Sequence, residues 1–149
     1  MSRTDAAAQP PRWRFDHINL HGHGAALDRL FGQVMGLRDG YRPPFPFPGR
    51  WLYRDDSPWL HLVRPAAGRG EHVRLGHIAF RTDQPAAALI ERLRAAGLDY
   101  EVALVPEQGD VQLFVALPGG LVIELDAPAD PALGDGREAY VAALALSTS

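Results

Sequence analysis

Two histidines occupy the same step in two similar segments of this sequence. Residues 14–21 (RFDHINLH) align with residues 74–81 (RLGHIAFR), so that His17 matches His77. Large apolar residues alternate with the other residues in both segments, which is typical of a strand with one apolar face. Both histidines therefore lie on the opposite face. A single histidine on such a strand is usually structural, but two at matched positions indicate a shared role.

A second matched pair follows the first. Residues 59–63 (WLHLV) align with residues 122–126 (VIELD), and this places His61 and Glu124 at equivalent positions on the face that carries the paired histidines. A carboxylate within an aliphatic run is costly to bury unless it is paired or bound to a cation. Imidazoles and a carboxylate together suit Zn(II), Ni(II), Mn(II) or Fe(II). We therefore predict a divalent metal site built from His17, His61, His77 and Glu124. The alternative for each of these residues alone is a polar strand edge facing water.

The same alternation identifies further residues on the side of the metal site. The predicted substrate pocket contains Asn19, Trp51, Tyr53, Arg81, Gln112 and Phe114. Arg81 could clamp an anionic substrate or end its strand in solvent, and the aromatic residues could instead pack between the two repeats. His21, His23 and His72 have no matched partner, so we expect them in loops.

The elements that must position these residues also repeat. Apolar residues at helical spacing follow each histidine strand: Leu27, Leu30, Phe31 and Val34, then Ala86, Leu89, Ile90 and Leu93. Three strand-like segments follow each helix: 38–41, 51–54 and 58–63, then 99–105, 111–117 and 121–125. We therefore predict an α+β fold of two tandem βαβββ modules whose curved mixed sheets enclose one cavity.

The expected domain organisation follows from this repeat. The paired domain spans residues 13–126, with modules at 13–65 and 73–126. Residues 1–12 are predicted to be a flexible N-terminal arm, and residues 127–149 a C-terminal extension with a short helix. The proline-rich segment 41–49 cannot lie inside a sheet, because proline has no backbone N–H to donate. It is predicted to be a rigid loop whose two phenylalanines lid the pocket or pack on the surface.

The composition of the 149 residues excludes several functional classes. There is no cysteine and no lysine, which excludes thiol nucleophiles, disulfides, Cys-based zinc sites and Schiff-base lysines. The formal net charge of −3 and the pI near 6.0 give no basic footprint for nucleic acid. No apolar run could span a membrane and no signal-peptide pattern begins the sequence, so we expect a cytoplasmic protein without nucleic-acid or membrane partners.

These motifs resemble the vicinal oxygen chelate superfamily, which includes glyoxalase I, methylmalonyl-CoA epimerase, fosfomycin-resistance transferases, extradiol dioxygenases and bleomycin-resistance proteins. The resemblance covers about residues 13 to 126. It rests on Asp16-His17, Val34-Met35-Gly36-Leu37, Gly76-His77-Ile78-Ala79-Phe80 and the segment 117–125 (LPGGLVIEL). Leu117 and Gly119 stand where the family turn has acidic residues. By position, the resemblance implies that His17, His77 and Glu124 correspond to the metal ligands of the metal-using members.

His61 matches the position that is Glu in glyoxalase I and Gln in the epimerase. The resemblance implies a metal-dependent glyoxalase-type lyase or isomerase, which acts on a small substrate with vicinal oxygens through an enediolate. Glu124 and His61 would be its catalytic residues. One alternative is a non-haem Fe(II) extradiol dioxygenase with His61 as acid or base, and another is a metal-free binding protein of the bleomycin-resistance kind. We expect a small-molecule substrate and a homodimer.

Overall fold

The computed structural model describes residues 12–65 and 72–131, which form one open eight-stranded mixed sheet with two helical elements. The strands of the first module are β1 (Arg14–Gly22), β2 (Arg38–Gly40), β3 (Gly49–Arg54) and β4 (Ser57–Val63). Those of the second module are β5 (Val73–Arg81), β6 (Glu101–Leu104), β7 (Val111–Ala116) and β8 (Val122–Ala127). The first helix begins as α1 (Ala25–Asp28) and continues as a π-helical segment (Arg29–Val34), and α2 spans Ala86–Ala95.

The sheet shows the predicted twofold repeat directly in its strand order, β2-β3-β4-β1-β5-β8-β7-β6. Each module contributes four neighbouring strands, and the two modules meet where β1 and β5 pair antiparallel. Within the modules, β1 pairs parallel with β4, and β5 pairs parallel with β8. The predicted βαβββ modules are therefore confirmed, and their strands form one continuous sheet that does not close. Because β1 and β5 are central, their matched histidines lie side by side.

Two β-bulges interrupt the pairing of the central strands. Phe15 pairs with Phe80 but His17 pairs with Ala79, so Asp16 is an extra residue in β1. The second bulge has the opposite sense, because one step along β1 matches two steps along β5, and the extra residue is Gly76. A bulge bends its strand and re-aims the neighbouring side chains. Each bulge immediately precedes one of the matched histidines.

Each module has its own apolar core beneath its helix. In the first module Leu27 and Leu37 pack against buried leucines of β3 and β4. In the second module the helix residues Leu89 and Leu93 pack against the apolar face of β7. The polar residues at alternate strand positions are directed to the other face, where the two modules share a single site.

The two helices pack differently, and this corrects one prediction. The spacing of Leu27, Leu30 and Val34 predicts one apolar face, but Leu30 is 49% exposed and Val34 is 77% exposed. The backbone N–H of Met35 bonds the carbonyl of Leu30, five residues earlier, which is the π-helical pattern. The wider turn rotates Leu30 and Val34 away from the sheet, while Leu27 stays buried.

The remaining regional predictions concern the ends of the chain. Most of the predicted N-terminal arm and the predicted C-terminal helix lie outside the described residues. Across residues 12–65 and 72–131, neither helical element has the length and apolarity that crossing a bilayer requires.

Candidate metal centre

His17 projects from β1 into the face shared by the two modules and is held there by its neighbour in the chain. Its Nδ1 lies 2.6 Å from Oδ2 of Asp16. Adjacent residues of a regular strand point to opposite faces, so this contact depends on the bulge at Asp16. A carboxylate that accepts the Nδ1 proton fixes the tautomer and leaves Nε2 with a lone pair, which is how metal-binding histidines are usually oriented.

His77 and Glu124 complete a compact group with His17. Nε2 of His17 lies 3.4 Å from Nε2 of His77 and 3.2 Å from Oε2 of Glu124. Nε2 of His77 lies 3.4 Å from Oε1 of Glu124. All three side chains are buried, with Glu124 only 1% exposed.

The spacing of these donor atoms fits a divalent metal ion. Ligands about 2.1 Å from one ion are separated by about 3.0 Å in octahedral and about 3.4 Å in tetrahedral geometry. The separations of 3.2 and 3.4 Å fall within this range. Glu124 Oε2 also has no hydrogen-bond partner among the described residues, although it lies close to His17 Nε2. Acceptors packed so closely in a buried site need a cation or a proton between them, so the donor set fits a metal.

His61 lies beside this group but is not part of it. Its ring is stacked between two others: the centroids of His61 and His17 are 3.4 Å apart at 18°, and those of His61 and Trp51 are 3.7 Å apart at 8°. A nitrogen lone pair lies in the plane of its ring, so two nearly parallel stacked imidazoles cannot both point at one ion. Direct metal ligation by His61 would require its ring to leave the stack, and it stays a prediction.

A small inner cavity adjoins the three-residue group. It has a volume of about 40 Å³, and its lining includes Asn19, Trp51, His61, His77, Gln112, Phe114 and Glu124. Four of the six predicted pocket residues therefore line it. Gln112 donates from Nε2 to Oε1 of Glu124 at 3.1 Å, while its own Oε1 and the Oδ1 of Asn19 are buried without a partner among the described residues. These two amide oxygens can accept hydrogen bonds from a bound molecule.

The other two predicted pocket residues, Tyr53 and Arg81, line a separate outer cleft of about 290 Å³. The outer cleft also reaches His17, His61 and Gln112. Arg81 bonds Oδ1 of Asp16 at 3.1 Å and Oδ2 of Asp110 at 3.0 Å, so its guanidinium joins two carboxylates. We had considered that Arg81 binds an anionic substrate or that it ends its strand in solvent. Its bonds to Asp16 and Asp110 match neither alternative.

Burial controls the protonation of the site. Desolvation lowers the pKa of His61 and of His77 well below the usual value, so both rings are neutral at pH 7. Desolvation, followed by the negative charge of Asp126, raises the pKa of Glu124 well above its usual value. Desolvation also raises the pKa of Asp126 to about 6. Burial opposes ionisation of Asp16 too, but His17 and Arg81 outweigh it and lower the Asp16 pKa.

Several residues of the site were not predicted, among them His21, Gly76 and Asp126. His21 was expected in a loop, but it lies in β1, is 6% exposed and lines the inner cavity. Its place on the same strand face as His17 was the available signal. Gly76 makes room for it: a Cβ there would lie 2.0 Å from Asn19 Oδ1 and 2.5 Å from Cδ2 of His21. Asp126 is buried two residues beyond Glu124, and only its position on the same face of β8 pointed to it.

The fold of this chain is similar to those of several proteins of known structure. The Mn(II)-bound glyoxalase from Novosphingobium aromaticivorans aligns with a TM-score of 0.56 and 19% identity over 78% of this chain and 40% of that chain. The 2,3-dioxygenase LapB from Pseudomonas sp. KL28 aligns with a TM-score of 0.60 and 18% identity over 78% of this chain and 41% of that chain. This chain therefore shares its fold with the glyoxalase and the dioxygenase, as the resemblance to the vicinal oxygen chelate superfamily predicts.

The structural neighbours differ in the share of their length that this chain covers. This chain spans about two fifths of the glyoxalase and of the dioxygenase. A hypothetical protein from Bacillus halodurans C-125 aligns with a TM-score of 0.60 and 16% identity over 79% of this chain and 96% of its own. No protein-family model matches the sequence, and comparison with curated proteins gives no significant match. The neighbours therefore support the fold of this chain.

Proposed function

We propose that this protein is a metal-dependent enzyme of the ring-cleaving dioxygenase type, with His17, His77 and Glu124 as its metal ligands. The observation that carries the proposal is a three-residue donor set from which the fourth candidate, His61, stands apart in a ring stack. Two histidines and one carboxylate with open coordination positions are typical of non-haem Fe(II) oxygenases. The proposal differs from the glyoxalase-type prediction, which gives His61 a place among the ligands.

The protein side chains supply both binding and proton transfer. A divalent ion held by the three ligands would act as a Lewis acid toward two neighbouring oxygens of a substrate. Asn19 and Gln112 offer buried amide oxygens that can accept hydrogen bonds from substrate hydroxyls. The Trp51 ring holds His61 in place, and burial excludes water from the group.

His61 is proposed as the acid or base. Its Nε2 is buried without a partner among the described residues, and its ring also hydrogen-bonds the backbone of Pro58. Since burial keeps the imidazole neutral, Nε2 can accept a proton from a substrate hydroxyl and return it later. The stack on His17 keeps this nitrogen next to the ligand group without using it as a ligand.

A glyoxalase-type isomerase is the second candidate. It is favoured by the contact between the His61 and His17 rings, because rotation of His61 out of the stack would bring a fourth donor to the group. In that case Glu124 and His61 would share the roles of ligand and base. A homodimer and a cytoplasmic location remain predictions under either candidate.

Metal binding and oxygen uptake test the proposal. The protein is loaded with Fe(II) without oxygen, its metal content is measured, and oxygen consumption is then followed with catechol. We expect about one ion per chain, and Glu124→Gln should weaken metal binding by more than about 100-fold because it removes the charged ligand. Glu101→Gln is the matched control, since Glu101 is exposed on the edge strand β6.

The variant His61→Gln separates the two candidates. As an acid or base, His61 should contribute about 10²- to 10⁴-fold to turnover while leaving metal affinity nearly unchanged. The control is His72→Gln, at an exposed position outside the site. Isomerisation of the methylglyoxal–glutathione hemithioacetal without oxygen uptake would favour the second candidate. Absence of metal binding by the parent protein would overturn both.

A further inference from the structure

The proposed ligands lie between two spaces, and only one of these has room for the body of a substrate. His77 and Glu124 line the inner cavity, whereas His17 lines the outer cleft, so an ion held by all three would lie between the two. The inner cavity of about 40 Å³ has room for about three water-sized groups, which is enough for substrate oxygens but not for a ring. The outer cleft of about 290 Å³ can hold a small molecule. A substrate whose oxygens reach the ion therefore has its body in the outer cleft.

Carboxylates outnumber cations in the lining of the outer cleft. Its charged residues are Asp16, Asp56, Asp126 and Arg81. Arg81 donates to Asp16 at 3.1 Å and to Asp110, outside the lining, at 3.0 Å. Its single positive charge is therefore shared by two carboxylates. The charges of Asp56 and Asp126 leave the cleft negative.

Two buried acceptors in the lining of the outer cleft also lack a partner. Oδ1 of Asp126 and Oε1 of Gln112 make no hydrogen bond among the described residues, and the two residues are only 2% and 7% exposed. A buried acceptor that stays unpaired costs free energy, so both favour a ligand that brings hydrogen-bond donors. An ammonium group has three donors and no acceptor, whereas a carboxylate has acceptors only.

Asp56 is the exposed member of the carboxylate group. It lies in the turn between β3 and β4, and its carboxylate makes no hydrogen bond or ion pair within the described part of the chain. The strand that leads into this turn, β3, contributes Trp51 and Tyr53 to the same lining. The outer cleft thus combines an aromatic wall for an apolar body with an unpaired negative charge at its exposed side.

We propose that the outer cleft binds a positively charged group, with Asp56 as its exposed determinant, so that the natural substrate is a vicinal-oxygen compound that also carries an amine. Opposite charges on the two partners favour binding, and the donors of an ammonium match the unpaired acceptors. Binding requires no movement of the proline-rich loop, because no residue of segment 41–49 lines the outer cleft. This inference rests on the proposed function, because the vicinal oxygens are those that the three-ligand group would receive.

Three catechols of similar size test the inference. The full chain is loaded with one Zn(II) per chain, which has no redox chemistry. Calorimetry at neutral pH then gives the dissociation constants of 4-(2-aminoethyl)catechol, 4-propylcatechol and 3,4-dihydroxyphenylacetate, whose side chains are cationic, neutral and anionic. The cationic probe should bind about fivefold more tightly than the neutral one and the anionic probe about fivefold more weakly, which is the size of one ion pair near the surface. Raising the ionic strength from about 0.02 M to about 0.3 M should reduce both differences, because salt screens exposed charges.

A pair of variants in one turn locates the effect. Asp56→Asn removes the charge with little change of shape and should reduce the cationic preference to about twofold or less. The neutral probe should still bind within about twofold of its affinity for the parent protein, which also shows that the variant is folded. Asp55→Asn is the matched control and should retain the full preference, because Asp55 precedes Asp56 in the same turn but does not line the outer cleft.

The outcomes separate the inference from the function on which it rests. Equal affinity of the parent protein for all three probes, a preference for the anionic probe, or a cationic preference that survives in Asp56→Asn would overturn the inference alone. If none of the probes binds a protein that holds Zn(II), the proposed function is overturned with it.

Discussion

The central strands β1 and β5 are equivalent in the repeat, yet the surroundings of their matched histidines differ. Both carry a bulge directly before the histidine, at Asp16 in β1 and at Gly76 in β5. The first bulge supplies a carboxylate 2.6 Å from Nδ1 of His17. The second supplies no side chain, and Nδ1 of His77 is buried without a partner among the described residues. The repeated backbone thus presents two histidines that we propose as ligands, and only His17 is fixed by a neighbouring carboxylate.

This difference shows how a duplicated unit can become specialised at one position. A second aspartate in place of Gly76 would collide with Asn19 and His21, whose side chains cross over the glycine. The bulge in β5 therefore leaves room for polar residues of β1 beside the inner cavity, whereas the bulge in β1 orients His17, a proposed ligand.

Within the two central strands, the largest effect is expected for Gly76→Ala. The added Cβ would lie 2.0 Å from Asn19 Oδ1, and neither strand can move away easily because both are central in the sheet. We expect the free energy of unfolding, measured by urea denaturation, to fall by about 2 to 3 kcal/mol. Gly32→Ala is the control, because a Cβ at Gly32 meets no atom within 4 Å. A Gly76→Ala protein as stable as the parent would mean that the two strands do not approach as described.

The bulge in β1 is tested by Asp16→Asn. The amide cannot fix the His17 tautomer as a carboxylate does, so we expect the metal dissociation constant to rise by about 10- to 100-fold. Asp110→Asn serves as the control, since Asp110 shares Arg81 with Asp16 but makes no contact with His17 among those described. If both variants lose metal affinity to the same extent, the loss acts through Arg81 rather than through His17.

Metal affinity should also depend on pH, because the metal and protons compete for the same carboxylate. The raised pKa of Glu124 means that the metal-free protein retains a proton there well above the usual range, and metal binding must release it. Affinity should therefore fall as the pH is lowered, by about tenfold per pH unit for one released proton. His61 and His77 take no part at pH 6 to 8, since burial lowers their pKa values.

Asp126→Asn identifies the source of this pH dependence. After desolvation, the charge of Asp126 is the next cause of the raised Glu124 pKa. Removing it should lower that pKa and move the decline in affinity toward lower pH. Asp83→Asn, at a largely exposed position, should leave the profile unchanged. A parent profile in which affinity declines only within the usual pH range of a free glutamate would contradict the assignment of Glu124 as the proton-binding group.

Much of the site could be predicted because strand alternation and duplication are both visible in the sequence. The matched positions of His17, His77 and Glu124 were enough to bring their side chains together, although each lies on a different strand. The position of His61 on the shared face was equally visible. Its orientation was not, because the stack with Trp51 and His17 is decided by ring packing between three strands.

Features that depend on backbone irregularity escaped prediction. A bulge adds one residue to one strand of a pair, so it becomes apparent only when the register of β1 against β5 is known. The contact of Asp16 with His17 and the place of His21 in the inner cavity follow from those bulges. The π-helical segment is a similar case, since apolar spacing in a sequence assumes 3.6 residues per turn.

The smallest effect is expected in the first helix, where matched positions of the two repeats again differ in their burial. Leu30 and Leu89 occupy matched steps of the two helices, but Leu30 is 49% exposed and Leu89 only 2%. Leu30→Ala should therefore lower the free energy of unfolding by less than about 0.5 kcal/mol, whereas Leu89→Ala should cost about 2 to 5 kcal/mol. Thermal or urea denaturation of the two variants gives the comparison with the same chemical change at each site. A cost above about 2 kcal/mol for Leu30→Ala would mean that the side chain is buried, and the regular helix predicted from its spacing would then replace the π-helical segment.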